Sequence, residues 1–192
     1  MPIYTKKGDK GTTKLPFDKR KRSKASCRVQ ALGEVDELNS LVGVIVSFLK
    51  DDTPLRKWLV KIQSELFLAQ MDIASKGKTF EDRKIKPLTE KHVKQLEKEI
   101  DEMTSKLPPL SKFILPGGSH AGAFCQLARA VCRRTERELA QLKRKEKVNP
   151  AVVQYLNRLS DYLFTSARFI NFNAGAPESN PNYYNEDRPS ED

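Results

Sequence analysis

Residues 119–142, SHAGAFCQLARAVCRRTERELAQL, constrain this chain more than any other stretch. Phe124, Leu127, Ala128, Val131, Leu139 and Leu142 recur at three- and four-residue steps, the spacing of one face of a helix of about seven turns. Such a face has to be covered by other elements. At about 100° per residue, Gln126, Arg129, Arg133 and Glu136 fall close to the direction opposite Val131, so the same helix carries a second, polar stripe. Two arginines one turn apart offer planar forks of donors that stay charged, which suits an anionic ligand. A solvated outer face would look the same on pattern alone.

The approach to this helix narrows the choice. Leu115-Pro116-Gly117-Gly118-Ser119 sets a rigid turn and two glycines before a good N-cap, a loop type that lets a ligand come close to the backbone. Four more amphipathic segments surround it. Val29, Leu32, Val35, Leu38, Val42 and Ile45 mark the first over residues 27–49. Thr53-Pro54 opens the second, which runs to about Ser75 through Leu59, Ile62, Leu66, Ala69 and Ile73. Val93, Leu96, Ile100 and Met103 mark the third, ended by Pro108 and Pro109. Asn149-Pro150 opens the last, with Val152, Leu156, Leu159, Leu163, Ala167 and Ile170. Five amphipathic helices and no convincing strand predict an all-α bundle spanning residues 27–173, preceded by a loop over 1–26 and followed by a disordered tail over 174–192.

Composition removes several function classes. No apolar run reaches the roughly 18 residues that cross a bilayer, and the polar start MPIYTKKGDKG lacks a signal-peptide core; a cytoplasmic protein is expected, with the mature form of a mitochondrial one as the alternative. Cys27, Cys125 and Cys132 are odd in number and lack CxxC spacing, so they read as small buried hydrophobes rather than disulfides or zinc ligands. The net charge of +10 favours anionic partners.

Three polar groups are candidates for a site. Gly8-Asp9-Lys10-Gly11-Thr12-Thr13 is small, hydroxylated and basic, yet is not the GxxxxGK[ST] phosphate loop; a mobile N-terminus fits it as well. Asp36 and Asn39 lie one turn apart beside the first apolar stripe. Asn157, Asp161 and Arg168 line the flank of the last helix, where a structural network is the alternative to a binding site.

The ordered set of motifs is more specific than any of its members. Tyr4-Thr5-Lys6-Lys7-Gly8-Asp9-Lys10-Gly11-Thr12-Thr13, Gly33-Glu34-Val35-Asp36-Glu37-Leu38-Asn39-Ser40, Phe113-Ile114-Leu115-Pro116-Gly117-Gly118, the run from Ala128 to Arg137 and the run from Tyr155 to Asp161 together resemble the PduO-type corrinoid adenosyltransferases. The resemblance implies a homotrimer of five-helix bundles that transfers the 5′-deoxyadenosyl group of ATP to cob(I)alamin and releases triphosphate. It implies ATP binding at a subunit interface by Thr5, Gly8, Asp9, Gly11, Thr12, Thr13, Lys24, Arg133, Arg134, Glu136 and Asn157, with Arg133 and Asn157 close to the chemistry. Asp36 and Arg129 would form an interface ion pair, and Phe113 would face the corrin and favour loss of its lower axial ligand. Mg²⁺ is expected mainly on the ATP phosphates, with no side-chain metal site. A flavin reductase and an adenosylcobalamin-dependent enzyme are the implied partners; neither a membrane nor nucleic acid is. Gln126, Lys14 and Thr135 depart from the family pattern, which commonly has His, Gly and Ala there. Two rival readings are a basic helical nucleic-acid binder using residues 19–24 and Lys143-Arg144-Lys145, and a trimeric scaffold without catalysis.

Overall fold

The computed structural model describes residues 4, 6–16, 18, 20–75 and 86–182. Five helices dominate: α1 Cys27–Ser47, α2 Pro54–Ser75, α3 Glu90–Thr104, α4 His120–Lys145 and α5 Pro150–Asn173. Their starts follow local chemistry. Ser119 Oγ accepts from the Gly122 amide at 3.2 Å. Asn149 Oδ1 accepts from the Ala151 amide at 3.0 Å, with Pro150 in the first turn. Thr89 and His92 close a capping box at the head of α3.

The helices run up and down in the neighbour order α2, α1, α4, α5, α3, with α2 also touching α5. Apolar stripes from all five meet in one core, which includes Val35, Leu66, Leu96, Val131, Leu156 and Leu163. Two positions on α4 depart from the sequence reading. Leu127 is 48% exposed, because Cys125, Ala128 and Cys132 form the centre of the buried face and Leu127 lies about 100° away from Ala128. Gln126, expected on the polar stripe, is buried and accepts from Arg129 Nε at 2.9 Å.

Within the N-terminal segment, read from sequence as a loop, β1 Thr12–Lys14 pairs antiparallel with β2 Lys21–Ser23, Thr13 opposite Arg22. Three-residue strands are too short to show a two-residue period. Residues 174–182, read as the start of a disordered tail, instead return along the loop between α3 and α4, where the Leu115 amide donates to the Ser179 carbonyl at 2.7 Å. The rest of that expected tail, 183–192, lies outside the described residues.

Polar clasps fix the two ends of the bundle. At one end Arg28, 1% exposed, donates to the Ile73 carbonyl of α2 and, at 2.9 Å, to Glu146 just past α4. Beside it Asn149 donates to Asp72 at 2.9 Å and to the Leu88 carbonyl at 3.2 Å. At the other end Asn171 of α5 accepts from the Ser119 amide at 3.0 Å and donates to the Gly117 carbonyl at 2.8 Å. A Cβ at Gly118 or Gly122 would collide with the Asn171 amide, and Gly118 has φ +98°, so this approach of α5 to the head of α4 requires glycine at both.

Candidate functional site

The N-terminal hairpin gathers the first group of expected site residues. The Gly11 amide donates to the Gly8 carbonyl at 3.2 Å, and the Lys24 amide to the Gly11 carbonyl at 2.9 Å. Lys24 folds back over the turn, so close that a Cβ on Gly8 would lie 3.3 Å from its ammonium nitrogen. Gly8, Gly11, Thr12 and Lys24 therefore form one small basic turn, with Thr13 next along β1 and Asp9 exposed at its rim. Thr5 lies outside the described residues. The hairpin is docked on the α4–α5 end: Arg22 donates to Asp18 at 2.6 Å and reaches Glu146 at 3.9 Å.

Asp36 stands in the open groove between this hairpin and helices α1 and α2. The groove, of ≈ 450 Å³, is lined by Thr13, Leu15, Leu32, Asp36, Phe67 and Gln70 among others. Gln70 donates to Asp36 Oδ1 at 3.2 Å. Arg129 is held by Gln126, and among the described residues no ion pair joins Asp36 to Arg129 within the chain.

The two neighbouring arginines of α4 differ in kind. Arg134 is bound on both prongs by α1, to Glu34 at 2.5 Å and to Glu37, so inside a single chain it is a strut between helices. Arg133, one residue earlier and about 100° round, is exposed and has no side-chain partner among the described residues. Beside it Asn157 donates to Glu136 at 2.8 Å. Arg133 lies twelve residues before Lys145, or about 18 Å along the helix axis from the end where the hairpin docks. The chain thus presents the glycine turn and the α4–α5 polar patch as separate surfaces.

Phe113 forms a third surface. It is 73% exposed, and Leu110 and Leu115 are also largely open. Asn157, Asp161 and Arg168, which share a helix flank, split into three local networks. Asn157 joins Glu136, Asp161 accepts from Arg158 at 3.0 Å, and Arg168 turns inward to Glu178 at 2.6 Å.

Sequence reasoning missed the buried polar core. Tyr155, fully buried, donates to Glu65 at 2.7 Å. Burial raises the Tyr155 and Tyr162 hydroxyls above their usual range, and desolvation likewise raises the Glu99 carboxyl. Tyr155 sits at an ordinary core position of α5, and its partner is on α2, so the short-range pattern held no signal for it. Two of the three cysteines behave as expected: burial pushes the Cys125 thiol up to about 12, and the buried Cys132 thiol donates to the Leu156 carbonyl at 3.2 Å, whereas Cys27, at the head of α1, is only partly buried and accepts from Lys145 at 3.3 Å. Neither Cys125 nor Cys132 is a nucleophile at neutral pH. Among the described residues no three His, Cys, Asp or Glu side chains converge on a metal position, and no helix is long and apolar enough to cross a membrane.

Comparison with known proteins supplies the context for these surfaces. Residues 3–170 match the Cobalamin adenosyltransferase family. A corrinoid adenosyltransferase of Bacillus subtilis (strain 168) is 42% identical over 178 residues, 91% of this chain and 89% of that protein. A cobalamin adenosyltransferase of Cupriavidus metallidurans is 40% identical, covering 92% of this chain and 91% of its own length. Among solved structures, a variant of the PduO-type ATP:corrinoid adenosyltransferase from Lactobacillus reuteri, complexed with cobalamin and ATP, superposes with a TM-score of 0.85. It is 40% identical and spans 94% of this chain and 96% of its own. The chain belongs to the cobalamin adenosyltransferase family.

Proposed function

We propose that this member of the cobalamin adenosyltransferase family transfers the 5′-deoxyadenosyl group of ATP to cob(I)alamin, giving adenosylcobalamin and triphosphate. The observation that carries the residue assignments is Arg133. It is a permanently charged fork left open on α4, whereas the side chains of Arg129 and Arg134 are already engaged.

In the reaction the cobalt(I) electron pair attacks C5′ of ATP. A Co–C bond forms, the C5′–O5′ bond breaks, and its electron pair leaves on the triphosphate. Cobalt(I) needs no deprotonation, so no general base is required, and the inert buried thiols agree with that. What remains for the protein is to hold C5′ in line with the cobalt and to stabilise charge growing on the leaving group. Lys24 and the glycine turn Gly8–Thr13 form a cationic surface for phosphate oxygens. Arg133 supplies a second cation from α4, and Glu136 with Asn157 is placed to meet the nucleoside. Thr5, Asp9 and Arg134 belong to the proposed ATP set, Arg134 after exchanging a carboxylate for a ligand oxygen.

The separation of the glycine turn from Arg133 supports a homotrimer in which one subunit's hairpin closes over a neighbour's α4. Asp36, exposed beside the hairpin, would then meet Arg129 of a neighbour across the same interface. Mg²⁺ prefers about six oxygen ligands and keeps several waters. With no convergent carboxylate cluster among the described residues, the side chains do not form a cage for it, and the proposed place for Mg²⁺ is on the ATP phosphates. Phe113 offers an apolar face to the corrin, where displacing the lower ligand eases reduction from cobalt(II). A flavin reductase upstream, an adenosylcobalamin-dependent enzyme downstream and a reducing compartment such as the cytosol complete the reading.

The test is an anaerobic absorbance assay with ATP, Mg²⁺ and chemically reduced cobalamin. ATP-dependent loss of the cob(I)alamin band, with recovery of light-sensitive adenosylcobalamin, is the expected outcome. A folded protein that gives no turnover would overturn the assignment.

A further inference from the structure

The aromatic at position 113 is the most exposed large apolar side chain in the described molecule, yet its backbone is tied down on every side. Arg168 of α5 is nearly buried, and its Nη2 donates to the Pro108 carbonyl at 2.9 Å, where the loop begins. Asn171 holds Gly117 and Ser119 where the loop ends. Between these anchors the segment after α5 lies against the loop. Asn180 Nδ2 donates to the Phe113 carbonyl at 2.8 Å, and the Leu115 amide donates to the Ser179 carbonyl at 2.7 Å.

The strap is itself anchored. After α5 the chain turns at Gly175, φ +65°, with the Gly175 amide on the Phe172 carbonyl and the Ala176 amide on the Asn171 carbonyl. Glu178 then takes both prongs of Arg168, at 2.6 and 3.2 Å. One guanidinium therefore binds the start of the loop and the root of the strap together. Beneath them lies a cavity of ≈ 330 Å³ bordered by Leu107, Pro108, Phe172 and Pro177. The strap is held over this space by directed polar bonds rather than by close packing, so those bonds set where the aromatic stands.

We infer that Arg168, Glu178 and Asn180 are positioning residues for Phe113, and that the segment 176–180 works as part of the corrinoid site rather than as an inert tail. The inference rests on the proposal that Phe113 faces the corrin. Asn180 acts on one carbonyl of the residue that carries the aromatic. Its loss moves the ring without altering the ring's chemistry. An effect confined to adenosylation that starts from cobalt(II) follows, since that route depends on the aromatic displacing the lower ligand.

The experiment is a double-mutant cycle on the full chain with Asn180→Ala, Phe113→Ala and both. Rates are measured from cob(II)alamin with a reductant and from chemically reduced cob(I)alamin, alongside the KM for ATP and thermal unfolding. Losing one hydrogen bond corresponds to a roughly three- to tenfold slowing from cobalt(II), with the ATP KM, the cobalt(I) rate and the unfolding temperature unchanged. In the Phe113→Ala background, Asn180→Ala should add nothing. Glu178→Gln, which keeps the shape and removes the charge, should show the same selective loss to a smaller degree. Wild-type behaviour of Asn180→Ala beside a slow Phe113→Ala would overturn the inference and leave the Phe113 reading intact, as would multiplicative losses in the double variant. If Phe113→Ala itself were unimpaired, the premise and the inference would fall together.

Discussion

The two ends of the helical bundle solve the same problem with different mixtures of charge and neutral amides. At the end where α1 and α5 begin and α2 and α4 finish, charge is buried. Arg28 binds the Ile73 carbonyl and Glu146, and Asn149 binds Asp72 and Leu88. At the other end neutral amides make most of the contacts and one buried charge joins them: Asn171 grips the head of α4, Asn180 and Ser179 grip the loop before it, and Arg168 binds Glu178 and the Pro108 carbonyl. A buried ion held by two partners is costly to disturb, because removing one member leaves the rest uncompensated. The Asn180 and Ser179 bonds to the loop are neutral, exposed and individually weak, so they fit a surface whose loop has to accommodate a ligand. Charge clasps the bundle under the hairpin, whereas the bond that reaches Phe113 itself is neutral and exposed.

The largest test of this contrast is Arg28→Ala. It takes the donor from the Ile73 carbonyl and one cation from beside Asp72 and Glu146, and should cost about 3 kcal/mol, a fall of roughly 6–12 °C in unfolding temperature for a chain of this size. Calorimetry on the variant checks it, and a shift under about 2 °C would show that the buried clasp is dispensable. Arg133→Ala should do the reverse. With no partner to lose it should leave the unfolding temperature alone, while kcat/KM for ATP falls by the equivalent of about 1.5–3 kcal/mol, or roughly ten- to a hundredfold. Steady-state kinetics decides, and unchanged kinetics would remove Arg133 from the site.

Asn171→Ala probes the other end. It orphans the Ser119 amide and the Gly117 carbonyl, so a loss of about 1–3 kcal/mol in urea unfolding is expected. The comparison of ends fails if that loss exceeds the one from Arg28→Ala. The smallest effect belongs to Asp72, whose carboxyl is raised by burial, offset in part by Asn149 and Arg28. A raised carboxyl binds more protons folded than unfolded, so its contribution to stability declines as pH rises from the usual carboxylate range through its folded value. Asp72→Asn should flatten that part of the unfolding-temperature profile and change stability by under about 1 kcal/mol at neutral pH. A profile parallel to wild type would show that Asp72 does not titrate in this window.

The placement of α2, α4 and α5 was legible within a few residues, because proline and the capping residues Asn149 and Ser119 act on their own first turns. The burial of Cys125 and Cys132 was legible too. Within the expected ATP set the hairpin brings Gly8, Gly11, Thr12 and Lys24 together, whereas Arg134 turned out to be bound by Glu34 and Glu37. Helical periodicity locates a face but not the groups opposite it, so it put Arg133 on the polar stripe without showing that Glu34 and Glu37 would engage Arg134. Arg28 was passed over for the same reason. A charged residue at the head of a helix reads as exposed until the Ile73 carbonyl of α2 and the Glu146 carboxylate past α4 are seen to close over it.

By itself the sequence determined what depends on near neighbours in the chain: five helices, their caps, their apolar faces and the ordered motifs of the family. Tertiary structure alone decided what depends on partners far apart in the chain. Glu65 with Tyr155, Arg28 with Ile73 and Glu146, and Asn180 with Phe113 are such pairs. Burial energies are set by the local alternation of apolar residues, whereas a polar group's fate is set by whichever distant donor or acceptor the completed packing leaves within about 3 Å of it.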